Sequence, residues 1–239
     1  LRLISDRRAQ NEQEIPLDWI NLPAGVQFTH LVLHPQDTIR GSADDLDCWF
    51  YHCKHDESWF ERLCVGRLVS GDTFLEFGAR PGAHYKIALT AVAMADLNGV
   101  TFAQAVHEGI LRSNDCLTDA EALHYNSRVP LTPCWDGAYV NDRVVVMIIP
   151  KPRLRCTPGD YLNCSHCARA GGMLRDAWLV RAGEQAYAAA NAARSLGKCV
   201  RFEQTFTDWG TTVHGESGRV GACMDKRRQL FRLLTGVIL

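Results

Sequence analysis

Val144 to Ile149 is the longest uninterrupted aliphatic run in the chain, closed by Arg143 on one side and Pro150 on the other. A run this short suits a strand buried on both faces, since a membrane-spanning helix needs about 18 apolar residues or more. Upstream, Gly137-Ala-Tyr-Val140 reads as a second strand, with Asn141-Asp142 as the two-residue turn between them. A hairpin buried on both faces must be covered by other layers. The 239 residues, 46% of them hydrophobic, suffice for one large domain or two small ones. They exclude a disordered chain and predict a soluble protein with no membrane partner.

Around the hairpin, periodicity places the other elements. Residues 27–33 alternate as a strand, and Gly41 to Asp45 reads as a turn. Leu46, Trp49, Phe50 and Cys53 fall at helical spacing, with Asp44 or Asp45 as a cap. A second helix runs from Val100 to Leu111, with Val100, Ala103, Val106 and Ile110 as its stripe. The alanine-rich stretch from Met173 to Leu196 is a third, lined by Leu179, Ala182, Ala186, Ala189 and Ala193 and ended by Gly197. Strands follow at Val200–Phe206 and Trp209–Val213, then a helix from Lys226 to Leu239 with Leu230, Leu233, Leu234 and Val237 as its inner stripe. This order predicts an α+β fold, a sheet with helices on one face, as in a split βαβ unit.

Charge and cysteine content say less. With 26 basic and 27 acidic residues the net charge is −1, which gives no overall support to a nucleic-acid partner. Local basic clusters occur at Arg2, Arg7 and Arg8 and at Lys226, Arg227, Arg228 and Arg232. Residues 1–15 are charged and polar and do not read as a secretory signal, so the ten cysteines are expected to be reduced thiols in an intracellular protein. Cys156, Cys164, His166 and Cys167 could supply part of a zinc site, but no second ligand pair stands at regular spacing. The chain begins at Leu1, which reads as a segment of a longer product.

The chemistry centres on two acids far apart in sequence. Asp45 precedes an aromatic-rich segment, and Asp142 sits at the hairpin turn. Two-metal phosphoryl transfer needs carboxylates brought together from separate elements to hold two cations roughly 3.5–4 Å apart. A hairpin tip presents such a carboxylate on rigid strands, and magnesium needs few protein ligands.

The motifs, taken in order, resemble those of reverse transcriptases. Arg2-Leu-Ile-Ser-Asp6-Arg7-Arg8-Ala-Gln-Asn11 resembles their fingers segment. Asp45-Leu-Asp-Cys-Trp-Phe50-Tyr51 resembles motif A, and Val92 to Gln104 resembles motif B. Tyr139-Val-Asn-Asp142 is similar to motif C, Tyr-x-Asp-Asp. Leu196-Gly-Lys198 is similar to motif D, and Phe206 to Val213 to the hairpin of motif E.

The resemblance implies a right-hand polymerase: partial fingers over 1–40, a palm with a ferredoxin-like sheet over 41–213 carrying a finger-like insertion around 60–90, and a palm–thumb junction with the first thumb helix over 214–239. It implies RNA-directed DNA synthesis with two Mg2+ ions, on an RNA or DNA template with primer and dNTP, in a retrotransposon-like element. Asp45 and Asp142 would bind metal, with the Leu46 carbonyl beside them. Arg2 and Arg8 would contact the incoming triphosphate, and Phe50 would exclude a ribose 2′-hydroxyl. Gln104 would lie near the template or nucleotide, and Tyr139 would support the primer end. Lys198 aligns with a proton donor to pyrophosphate, an assignment the sequence does not favour.

Three departures bear on activity. Asn141 stands where motif C has its principal metal ligand, and a neutral amide oxygen holds a dication less firmly. Ala93 and Ala95 replace the Pro and Gly of motif B. Arg40-Gly-Ser-Ala precedes Asp45 where an apolar strand is expected. Two alternatives therefore stand beside the polymerase: a degenerate remnant that binds nucleic acid without synthesis, and a cysteine-rich, zinc-stabilised interaction domain.

Overall fold

The computed structural model describes residues 6–18, 20–155 and 174–236. Arg2 and the candidate zinc ligands Cys156, Cys164, His166 and Cys167 lie outside the described residues. The fold is mixed α+β with antiparallel sheets, in two compact units.

The first unit comprises Leu1–Ile20 and Cys48–Val106. It holds two single-turn helices, α1 (Arg8–Asn11) and α2 (Trp49–His52), a two-stranded ladder of β2 (Cys64–Ser70) and β3 (His84–Ala88), and the start of α3 (Gly99–Arg112). The helix expected from Leu46 to Cys53 shrinks to one turn because Cys48 adopts a left-handed conformation, φ 50°, that interrupts the chain ahead of it. Arg7 anchors the unit: its Nε donates to Asp96 Oδ1 at 2.5 Å, with both side chains buried.

The second unit comprises Asn21–Asp47 and His107–Leu239. Its main sheet contains β1 (Asp37–Asp45), β4 (Cys134–Tyr139), β5 (Asp142–Pro150) and β6 (Val200–Glu203) in the order β4-β5-β1-β6. Every adjacent pair is antiparallel, so β1 and β4 run parallel with β5 between them. Alternation sorts the side chains. Ile39, Gly41 and Ala43 share one face with Trp135, Val144 and Val146, and this face meets Phe28, Phe206 and Val213 in the core.

The other face carries Arg40, Ser42, Asp44, Asp136 and Arg143 and lies under α4 (Arg175–Ala189). These polar groups are buried and individually partnered. Arg40 makes a bidentate pair with Asp176 of α4, at 2.6 and 2.8 Å. Arg143 does the same with Asp136, at 2.9 and 2.8 Å, and donates to the Leu179 carbonyl. Gly183 leaves room for that guanidinium, since a β-carbon there would collide with Arg143 Nη1. Ser42 Oγ accepts from the Phe202 amide.

Several sequence expectations change. The strand expected over 27–33 is instead a 3-10 helix over Gly25–His30, followed by an extended segment. The Gln27 side chain fixes its entry by accepting from the Ala24 amide and donating to the His124 carbonyl. Gly41 to Asp45 is not a turn but the end of β1, so neither Asp44 nor Asp45 caps a helix. The buried face of α3 includes Gln104 and His107, while Val106 of the expected stripe is exposed. A three-stranded sheet of β7 (Thr205–Asp208), β8 (Thr211–His214) and β9 (Arg219–Ala222) packs over the apolar face of the main sheet. The last helix, α5 (Met224–Gly236), turns Leu230, Leu233 and Leu234 of the expected inner stripe outward, each more than half exposed, while Val237 lies outside the described residues.

Candidate active site

The hairpin turn between β4 and β5 consists of Val140 and Asn141, one residue earlier than the sequence suggests, and Asp142 opens β5. Val140 has φ 55°, a costly conformation for a β-branched residue. The fold holds it from behind. His107 Nδ1 donates to the Val140 carbonyl at 3.0 Å, and the Tyr187 hydroxyl donates to His107 Nε2 at 2.8 Å.

Asp142 is the register partner of Asp45 at the end of β1, so the two carboxylates project from the same face of adjacent strands. Backbone bonds fix the end of β1: Leu46 N donates to the Asn141 carbonyl, Asp47 N to that of Ala193, and Ser195 N to that of Asp45, each at 2.8 Å. Next to Asp45, Asp44 points to the opposite face and is held below the ordinary carboxylate range. Burial alone would raise it, but the Arg201 and Arg194 guanidiniums reverse the sign. Asp44 is thus a structural ion-pair member, while Asp45 is presented outward.

A third acid joins the pair from the upper layer. Asp208 lies on the inward face of β7 together with Phe206, just before a tight turn at Trp209 and Gly210, both with positive φ. Trp209 holds this tip in place. Its ring stacks on Phe28 at 5.5 Å and leans on Tyr139 at 6.3 Å. Gly137 on β4 admits the same ring, since a β-carbon there would contact it.

The electrostatics follow from this crowding. Burial, then the Asp45 charge, pushes the Asp142 carboxyl up to about 6, with Lys198 opposing. Burial, then the charges of Asp142 and Asp45, pushes Asp208 up to about 7, against a lowering bond from the Trp209 amide. Lys198 Nζ donates to Asp45 Oδ2 at 2.8 Å, and that contact raises the lysine. Burial first, and the neighbouring carboxylates second, make the charged forms of Asp142 and Asp208 costly, and a bound dication would lower that cost. Among the described residues no three His, Cys, Asp or Glu side chains form a complete metal cage. The two strand-end carboxylates are the residues that could hold a magnesium-type ion, which keeps waters and needs one or two protein carboxylates. Asn141 adds no charge, and its Nδ2 donates to Asp142 Oδ1 at 3.3 Å.

Of the residues expected from sequence, Asp45, Leu46, Tyr139, Asn141 and Asp142 come together here. Arg8, Phe50 and Gln104 belong to the first unit. There Arg8 is exposed and bound to Asp6, Phe50 is half-buried on α2, and Gln104 is buried on α3. Asp208 was missed, although an acid ahead of a Trp-Gly turn was visible in the sequence.

One solved structure, a foamy viral protease-reverse transcriptase in complex with double-stranded DNA, is similar to this chain with a TM-score of 0.57 at 14% identity. The match covers 95% of this chain and 29% of that one, so the chain spans about three tenths of that protein's length. At that identity the likeness is one of fold, and it gives this chain a reverse-transcriptase-like architecture. No protein-family model and no curated protein sequence matches. Among the described residues, no helix is long and apolar enough to cross a membrane.

Proposed function

We propose that the chain is the fingers and palm of a reverse-transcriptase-like polymerase that carries out template-directed nucleotidyl transfer, with its acidic site weakened at Asn141. The observation that carries this reading is the register pairing of Asp45 with Asp142 at one end of a β4-β5-β1-β6 sheet, on the face away from α4. The all-antiparallel order β4-β5-β1-β6 is that of a ferredoxin-like sheet and supports reading it as a palm. The similarity to a polymerase solved with DNA supports a template–primer duplex as partner.

In this reading Asp45 and Asp142 hold Mg2+. Bound there, the metal would activate the primer hydroxyl and stabilise the charge on the phosphate under attack. Tyr139 and Trp209 form an aromatic ledge beside the pair, suited to hold the primer end. Lys198 must leave Asp45 or share it when a cation arrives, because one carboxylate oxygen already accepts its ammonium proton.

The test is primer extension on an RNA template with magnesium, comparing the chain as it stands with Asn141→Asp. The reading expects synthesis to rise by about a hundredfold on restoring the carboxylate. Absence of synthesis in both proteins would favour a second reading, a domain that binds nucleic acid without extending it. The neutral Asn141 and the Lys198–Asp45 pair are the observations on its side.

A further inference from the structure

We propose that the outward face of the β7–β9 sheet is a second binding site, remote from the acidic pair, that takes a chain of linked phosphates. The register places Thr205, His214 and Arg219 in one row across the three strands, and Thr207, Thr212 and Gly221 in the next. Both rows lie opposite the core row of Phe206, Val213 and Val220. Arg227 of α5 reaches back over this face: a β-carbon on Gly221 would collide with its Nη2. Lys151, just beyond β5, closes the other side. Lys151, Thr205, His214, Arg219, Gly221 and Arg227 line a cleft of about 1030 Å3, whose wall also includes Ser217 and Glu216.

The charge distribution points to an anion. Lys151, Arg219 and Arg227 are permanent cations around one cleft, and none has a carboxylate within ion-pair distance among the described residues. Two of them are aimed by neutral acceptors: Lys151 Nζ donates to the Pro35 carbonyl at 2.8 Å, and Arg227 Nε to the Ala222 carbonyl at 2.6 Å. Their heads are thus held in place while their charge remains uncompensated, apart from the lone Glu216 in the wall. The Thr205 hydroxyl in the lining adds a polar group beside the cations, while the Ser217 hydroxyl donates to the His214 carbonyl. A cleft of about 1030 Å3 has room for several linked phosphates rather than one.

The site is separate from the polymerase site. Lys151 follows Pro150, the end of β5 opposite Asp142, and the strand between spans about 27 Å at its usual rise. The inference does not rest on the polymerase reading, and the two fail independently.

The experiment uses the full chain in EDTA, so that metal-bridged phosphate at the carboxylates cannot contribute. Inorganic tripolyphosphate is titrated by calorimetry, and a labelled single-stranded DNA oligonucleotide by anisotropy. The double variant Lys151→Gln, Arg219→Gln should bind tripolyphosphate about tenfold more weakly with an unchanged melting temperature, while Asp45→Asn should bind as the parent does. If the bound ligand is a nucleic-acid backbone, tripolyphosphate displaces the oligonucleotide and each lost cation lowers its salt slope by about 0.7. If it is a free polyphosphate, the oligonucleotide is indifferent to both. No measurable tripolyphosphate binding, or equal affinity in the double variant, overturns the proposal.

Discussion

His107 ties the hairpin turn to the helical layer: its Nδ1 donates to the Val140 carbonyl while its Nε2 accepts from Tyr187, and the ring is fully buried. Burial pushes the imidazole down to about 4, against an ordinary value of 6.5. The folded protein therefore refuses a proton that the unfolded chain accepts between these values. Stability is fully present above pH 6.5 and lost as pH falls toward 4, by roughly 3 kcal/mol. His107→Leu should flatten this part of the pH profile in chemical denaturation, at a cost of about 1–3 kcal/mol at pH 7 from the stranded Val140 and Tyr187 groups.

Asp208 has the opposite sign. Its folded value of about 7 lies above the ordinary 3.8, so its contribution is present below pH 4 and lost as pH rises through 7. Asp208→Asn is expected to stabilise the protein at pH 8 by on the order of 2 kcal/mol and to change little at pH 4.

The Arg143–Asp136 pair should be intolerant of half-removal. Both side chains are essentially without solvent contact, and Gly183 is shaped to the guanidinium. Arg143→Met leaves Asp136 charged and buried, and denaturation should show a loss of about 3–5 kcal/mol. Gly183→Ala should also destabilise, because the guanidinium is fixed at three points and cannot swing away.

Lys198 competes with a cation for Asp45. Lys198→Met should tighten Mg2+ binding, read by calorimetry, since an ammonium no longer occupies one oxygen of the carboxylate. Unchanged affinity would show that this exposed pair is too weak to compete.

The parts legible in the sequence were those with local signals. The Val144–Ile149 run named a doubly buried strand, and the order of acidic motifs brought Asp45 and Asp142 to one place. β1 was misread because its helix-facing residues are Arg40, Ser42 and Asp44, whose partners Asp176, Phe202, Arg194 and Arg201 lie more than a hundred residues away. No local pattern marks a charge as buried when its counter-ion is that distant. Asp208 was missed for a similar reason: it approaches the site through the packing of Trp209 on Phe28, Tyr139 and Gly137. The outward leucines of α5 show the reverse case, an amphipathic pattern with no inner surface to meet among the described residues.

The most direct test of the account is whether the two strand-end carboxylates share one cation. Electron paramagnetic resonance of Mn2+ titrated into the chain reads this without requiring synthesis. The account predicts saturable binding that is lost in both Asp45→Asn and Asp142→Asn and strengthened in Asn141→Asp. Binding that survives both single substitutions, or that is absent from the parent and from Asn141→Asp alike, would contradict it.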